Sequence, residues 1–136
     1  MDVFENFKNQ LKANPKTIVF TEGTDARILS AASKLLAGKI LNVLLLGNPE
    51  AVKKAAAEGG FDITGAEICD PTSYPEFDAM VAKMVELRKG KMTEEQCRAA
   101  LSKSNYFGTM LVKMGKADCL LGGATYSTAD TVRPAL

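Results

Sequence analysis

The chain has 136 residues, of which 46% are hydrophobic and 24% charged, and its 17 basic and 16 acidic side chains leave a net charge of +1. This length predicts one folding unit with a proper core. A charge so close to zero gives no long-range field that would gather nucleic acid or anionic lipid. The chain contains no histidine, which excludes Ser-His and Cys-His nucleophile pairs and His-ligated metal sites from it.

The cysteines and the N-terminus indicate an intracellular chain. Cys69, Cys97 and Cys119 are widely spaced and form no CxxC pair, so neither a disulfide framework nor a zinc knuckle is predicted. Their apolar neighbours favour buried, inert thiols. The acidic start, Met1 to Glu5, lacks a long apolar run, and no signal peptide or membrane span is predicted. We expect a soluble, cytoplasmic protein.

The first half of the chain alternates helices with apolar strands. An amphipathic helix is predicted over residues 2–13, and the β-branched residues 17–20 follow as a buried strand of the parallel type. A helix over 25–37 begins at an N-cap residue, and a second buried strand covers 41–47. A proline then opens a helix over 49–59.

The second half repeats this alternation with more helix. A short strand over 66–69 precedes a helix over 74–89. A capping box, Thr93 with Gln96, starts a helix that runs to Lys103, and another helix follows over 105–113. The last strand covers 117–121. The sequence therefore predicts an α/β fold of three layers, with helices on both faces of a mostly parallel sheet.

Two loops that follow predicted strands are candidate binding sites, because ligands of open α/β sheets bind beyond the carboxyl ends of the strands. These loops are residues 21–23 and 122–130, and the second contains two glycines followed by Ser127 and Thr128. Amides at a helix start capped by one of these residues form an anion site. The alternative is an ordinary strand-to-helix turn whose serine only caps the helix.

Four of the basic residues are arginines. Arg133 lies one to two turns after the second loop, where its planar guanidinium would reach an anion held there; a surface ion pair with Asp130 is the alternative. Arg88 stands in a basic cluster at a helix end, and its pattern favours simple compensation of the negative helix terminus. Arg27 and Arg98 are predicted to be solvated helix positions.

Other candidates come from the first loop and from the helix over 105–113. Glu22 and Asp25 are carboxylates beside a strand end; either is a candidate base, although an N-cap role fits Asp25 better. Tyr106, Phe107 and Met110 are candidates for lining an adenine pocket, but their helical spacing is more typical of core.

Three stretches carry a family resemblance: residues 18–29, residues 87–93 and the run from 106 to 136 that ends in Arg133 and Pro134. With these stretches the chain resembles the N-terminal part of the phosphate acetyltransferases, a family that includes phosphate butyryltransferases. The resemblance covers essentially the whole chain. Cys119 and Tyr126 stand where many members are expected to have glycine and histidine.

The resemblance implies acetyl transfer between coenzyme A and inorganic phosphate, with no metal or bound cofactor and with a homodimeric assembly. It implies that residues 1–136 are an incomplete first domain of a two-domain enzyme of the isocitrate/isopropylmalate dehydrogenase-like type. Arg88 then corresponds to an arginine for the phosphate end of coenzyme A. Arg133 corresponds to one for the phosphoryl group of acetyl phosphate, with Ser127 and Thr128 completing that anion site.

Family members are considerably longer, and this chain stops soon after Arg133 without a helix stop signal. We therefore expect an N-terminal fragment that is inactive alone, with the catalytic groups beyond Leu136. Two alternatives stay open: a non-catalytic binding or regulatory module that holds coenzyme A or acyl phosphate, and a phosphate butyryltransferase.

Overall fold

Helices and strands alternate along the chain in the predicted order. The computed structural model describes residues 3–13, 16–122 and 134. The helices of this part are α1 (Val3–Ala13), α2 (Ala26–Ala37), α3 (Pro49–Gly59), α4 (Phe77–Arg88), α5 (Glu94–Leu101) and α6 (Ser104–Lys113). The strands are β1 (Thr17–Phe20), β2 (Asn42–Leu46), β3 (Glu67–Cys69) and β4 (Cys119–Leu121).

The described strands form one sheet in which every pairing is parallel. Their order is β3-β2-β1-β4, so β1 lies between β2 and β4, and Ile18 is paired with Val43 on one side and Cys119 on the other. The chain moves outward from β1 to β3 and then returns to the opposite side of β1. The direction of winding therefore reverses between β1 and β4, which is where α/β sheets place their ligands.

The alternation of side chains along the strands builds two cores. Val19, Leu44 and Leu46 face α4, α5 and α6 on one side of the sheet. Phe20 and Leu45 face α2 and α3 on the other. Because successive strand residues point to opposite faces, each apolar strand supplies both cores, and the predicted three-layer α/β/α fold is confirmed.

Side-chain capping bonds mark the starts of three described helices, α2, α3 and α5. The Asn48 side chain accepts from two amides at the start of α3, and Thr93 and Gln96 form the predicted capping box of α5. The prediction was wrong at the start of α4, which begins at Phe77 and not at Tyr74. Tyr74 precedes Pro75 and has a ψ of 123°, because the proline ring disfavours helical backbone at the preceding residue. A short 3-10 turn over Pro71–Ser73 ends directly before Tyr74.

The cysteines differ from one another in burial. Cys97 is buried in the α4–α6 core, Cys69 is half-buried, and Cys119 is exposed. The prediction of three buried thiols was therefore right for Cys97 and wrong for Cys119, which lies on β4 at the margin of the described sheet. None of the helices in the described ranges is long and apolar enough to cross a bilayer.

Candidate functional site

The loops after β1 and β2 are tied together at the carboxyl edge of the sheet. The Thr21 amide donates to the Leu121 carbonyl at 3.3 Å, and the Gly23 amide donates to the Leu46 carbonyl at 3.0 Å. These bonds draw the β1–α2 loop across the end of β2 and beside the end of β4. The loop is therefore fixed at the place where the strand order reverses.

A cleft of about 470 Å³ opens at this edge. Its lining includes Thr21, Glu22, Asp25 and Leu46, together with Ser104 from the first turn of α6. Thr21 and Glu22 are only 3% and 8% exposed. The Thr21 hydroxyl has no hydrogen-bond partner within the described part of the chain, which is uncommon for a buried polar atom.

Asp25 is committed to capping α2. Its carboxylate accepts from the Arg27 amide at 2.8 Å and holds the Arg27 guanidinium at 3.0 Å. The side-chain hydrogen bond from Arg27 is the main cause that lowers the pKa of Asp25 below its ordinary value. The predicted N-cap role of Asp25 is confirmed, and Arg27 is at a solvated position as predicted.

A second cavity, of about 230 Å³, lies between the end of α4 and one side of α6. We call it the Arg88 groove; its lining is Met84, Leu87, Arg88, Tyr106, Thr109, Met110, Lys113 and Pro134. Arg88 and Lys113 are the cationic side chains in this lining, and none of the lining residues just named is a carboxylate. No ion pair of Arg88 is found among residues 3–13 and 16–122, so the groove carries positive charge that an anionic ligand can neutralise.

The aromatic candidates on α6 divide between the groove and the core. Tyr106 and Met110 line the Arg88 groove. Phe107 is fully buried and meets Tyr74 edge to face, with ring centroids 5.1 Å apart. The interpretation of these residues as core is right for Phe107 and for Met110, which is 7% exposed and belongs to the same core, while Tyr106 presents an aromatic side chain to a cavity.

The described cysteines are not activated nucleophiles. Burial is the first cause that raises the pKa of Cys69, Cys97 and Cys119 above the ordinary thiol value. For Cys97 the positive charge of Arg88 offsets part of this effect. A reactive thiol needs a lowered pKa, so this part of the chain offers binding groups but no prepared thiolate.

Comparison with known proteins decides the family. The sequence model for phosphate acetyl/butaryl transferase matches residues 2–136. The chain belongs to this family. Curated members that it resembles include a phosphate acetyltransferase of Bacillus subtilis (strain 168), 48% identical over 135 residues, and one of Staphylococcus epidermidis, 43% identical over the same length.

Solved phosphotransacetylases of the same family have the same fold. One from Streptococcus pyogenes superposes on the whole chain with a TM-score of 0.93 at 42% identity. The EutD phosphotransacetylase from Staphylococcus aureus covers 97% of the chain with a TM-score of 0.90 at 43% identity. The match takes in 99% of this chain but only 42% and 41% of the two curated relatives, and 42% and 40% of the two solved chains. The chain thus spans about two-fifths of the length of these phosphate acetyl/butaryl transferases.

The predicted substrate residues of this phosphate acetyl/butaryl transferase chain fall into two groups. Arg88 is described, half-buried at the end of α4 and lining its groove. Ser127, Thr128 and Arg133 lie outside the described residues, and their assignment stays a prediction. Pro134, which directly follows Arg133 in the sequence, is buried and lines the Arg88 groove.

Sequence reasoning missed three side chains that these cavities bring forward. Lys113 was one of many scattered lysines, and only the packing of α6 beside α4 places it with Arg88. Ser104 enters the cleft because α6 begins at the carboxyl edge. Thr21 was predicted only as part of the loop that follows β1. Nothing in its sequence context indicates a buried hydroxyl that lacks a hydrogen-bond partner among the described residues.

Proposed function

We propose that the protein transfers an acetyl group between coenzyme A and inorganic phosphate, interconverting acetyl-CoA plus phosphate with acetyl phosphate plus coenzyme A. Residues 1–136 supply part of the first of two domains. The observation that carries the proposal is the Arg88 groove: a cationic cavity with an aromatic side chain and no carboxylate in its described lining, in a chain of a phosphate acyltransferase family. Both substrates of the transfer carry phosphate groups.

The transfer requires few groups from this part of the protein. In the direction of acetyl-CoA synthesis, the coenzyme A thiol loses its proton to a base and its sulfur attacks the acetyl carbonyl carbon. The carbon–oxygen bond to phosphate then breaks and phosphate leaves, while hydrogen-bond donors stabilise the oxyanion between these events. We expect the base beyond Leu136, and we assign substrate binding to this chain.

We assign separate roles to Arg88 and Arg133 of this chain. Arg88 and Lys113 bind phosphate groups at the nucleotide end of coenzyme A, and the ring of Tyr106 is placed to contact the base. Ser127, Thr128 and Arg133 hold the phosphoryl group of acetyl phosphate.

Arg88→Gln in the complete gene product tests the role of the groove. A charge-assisted hydrogen bond contributes about 1.5–3 kcal/mol, so we expect the KM for coenzyme A to rise about tenfold or more, with a smaller change in kcat. Arg98→Gln is the matched control, because Arg98 is an exposed arginine already paired with Asp78 at 2.8 Å and Glu94 at 3.2 Å. Equal kinetics for both variants would remove Arg88 from the site.

The same assay separates the alternatives. Faster turnover of butyryl-CoA than of acetyl-CoA would make the protein a phosphate butyryltransferase. Binding of coenzyme A without formation of acetyl phosphate by the complete gene product would support a non-catalytic binding or regulatory module. We further propose a cytoplasmic homodimer, which light scattering of the purified protein tests through its mass.

A further inference from the structure

Lys113 differs from several other lysines of the described part of the chain in the charges around it. Lys54, Lys83 and Lys116 each lie 3.6–4.0 Å from a glutamate oxygen. Lys113 has no ion pair within the described part of the chain. It lines the Arg88 groove, where the described lining contains no carboxylate. The amine of Lys113 therefore shares a cavity with a second cation and not with an anion.

The Arg88 groove can concentrate small anions near this amine. Arg88 and Lys113 supply positive charge to a cavity of about 230 Å³, and the buried residues Met84 and Met110 form part of its wall. An apolar wall lowers the local dielectric, so an anion between the two cations is held more strongly than at an open surface. The planar guanidinium of Arg88 suits the oxygens of a phosphate group. The Lys113 amine can then meet the rest of the bound molecule.

Acetyl phosphate is a small anion of this kind and also an activated acyl donor. A lysine amine that has lost its proton is a nucleophile. Its nitrogen attacks the acetyl carbonyl carbon, the bond from that carbon to the phosphate oxygen breaks, and phosphate leaves with the electron pair. The nitrogen gives its extra proton to the departing phosphate. The product is an N-acetyl-lysine, and the step needs no oxidant and no further reactant.

We propose that acetyl phosphate held by Arg88 acetylates Lys113, and that this modification weakens the binding of coenzyme A in the same groove. The inference rests on the proposed function, which supplies both molecules and places the nucleotide of coenzyme A there. Acetylation replaces an ammonium by a neutral amide and so removes positive charge from the lining. Bound coenzyme A covers Lys113 and protects it. The modification therefore accumulates when acetyl phosphate is abundant and coenzyme A is scarce.

Incubation of the complete gene product with acetyl phosphate tests the proposal, in the absence of coenzyme A so that no turnover consumes the donor. Peptide mass spectrometry measures the initial rate of acetylation at Lys113 and at the control lysine, Lys54. The side chain of Lys54 is 77% exposed and lies 4.0 Å from Glu58. We expect Lys113 to react at least about fivefold faster, because the groove attracts the anionic donor whereas Glu58 repels it.

Two changes should slow the reaction of Lys113 and leave that of Lys54 unchanged. Adenosine 3′,5′-bisphosphate is the nucleotide part of coenzyme A, and at saturation it should lower the rate at Lys113 about fivefold or more by covering the amine. Arg88→Gln removes the group that holds the donor and should lower the same rate about three- to tenfold.

Kinetics before and after treatment test the effect on binding. In the wild-type protein, acetylation should raise the KM for coenzyme A about three- to tenfold. Lys113→Arg presents a guanidinium, which stays protonated and is not a nucleophile at neutral pH. The KM of this variant, whatever its starting value, should be the same before and after treatment. An equal rise in both proteins would place the effect at another lysine and overturn the inference.

The other outcomes are equally distinct. Equal acetylation rates at Lys113 and Lys54 overturn the inference, as does an Arg88→Gln variant in which Lys113 reacts as fast as in wild type. Acetylation that the nucleotide does not block and that leaves the KM unchanged overturns the effect on coenzyme A binding. A complete gene product that forms no acetyl phosphate from acetyl-CoA and phosphate overturns the proposed function. The labelling experiment uses added acetyl phosphate, so its result is independent of that failure.

Discussion

Gly23→Ala tests whether the β1–α2 loop is held against β2 as tightly as the structure shows. The Gly23 amide donates to the Leu46 carbonyl at 3.0 Å. A Cβ at this position would lie 2.6 Å from the same carbonyl oxygen and 3.2 Å from a methyl carbon of Val52. The collision is with backbone of a central strand, which cannot turn away as the end of a flexible side chain can. We therefore expect Gly23→Ala to destabilise the fold.

The size of the effect follows from two contributions. Overpacking a filled position costs about 1–3 kcal/mol. If the loop withdraws to relieve the contact, it also loses the hydrogen bond to Leu46, worth about 1 kcal/mol. The free energy of unfolding should therefore fall by about 2–4 kcal/mol, a large part of the roughly 5–15 kcal/mol of an ordinary domain. Urea unfolding followed by far-UV circular dichroism measures it, with an unchanged slope against denaturant.

Gly38→Ala is the matched control. An added Cβ there would lie 3.0 Å from the terminal carbon of Ile40, a flexible side chain, and Gly38 has an ordinary φ of −82°. We expect the control to stay within about 1 kcal/mol of wild type, since the lost flexibility of the unfolded chain offsets a small packing cost. Equal stability of the two variants would refute the close approach of the loop to β2.

Two further predictions concern the α4–α6 side of the sheet. Thr93→Ala removes the capping box with Gln96 at the start of α5 and should lower the free energy of unfolding by about 1 kcal/mol. Urea unfolding measures this change. Thr72→Ala, in the short 3-10 turn, is the control. Burial raises the pKa of the Cys97 thiol above its ordinary value of 9.0, so the folded state keeps this proton longer than the unfolded state. The contribution of this thiol to stability is complete below pH 9.0 and is lost as the pH rises through the folded-state pKa. Cys97→Ala should therefore make the free energy of unfolding fall less steeply at alkaline pH. An equally steep fall in the variant would show that the Cys97 thiol does not cause it.

The layers of the fold were predictable because the strand patterns are simple. Residues 17–20 and 42–46 are almost wholly apolar, as strands covered on both faces must be. The helix starts at Asp25, Asn48 and Thr93 use local capping bonds, which a sequence displays directly. The start of α4 was missed because the restriction that Pro75 places on Tyr74 outweighs the apolar periodicity that includes Tyr74.

The cleft at the carboxyl edge was only partly predictable. The loop 21–23 was identified from its position after a strand, and Asp25 as a cap from its residue type. The isolation of the Thr21 hydroxyl depends on Gly108 and Gly122, which are distant in sequence and approach Thr21 only after β4 pairs with β1. The spacing of residues within one segment cannot predict contacts between residues this far apart in the sequence.

Helix α6 contributes residues both to the core and to the Arg88 groove, so its residues could not all be assigned to one of the two. Phe107 and Leu111, four residues apart, are buried in the core. Tyr106 and Lys113, seven residues apart, line the Arg88 groove. Met110 lies between these two sets, because it belongs to the core and also borders the groove. Adjacent helix residues are about 100° apart around the axis, so neighbouring positions serve different surfaces. The apolar face with Phe107 and Leu111 packs α6 against the sheet, and the adjacent face with Tyr106 and Lys113 lines the groove where a ligand can bind.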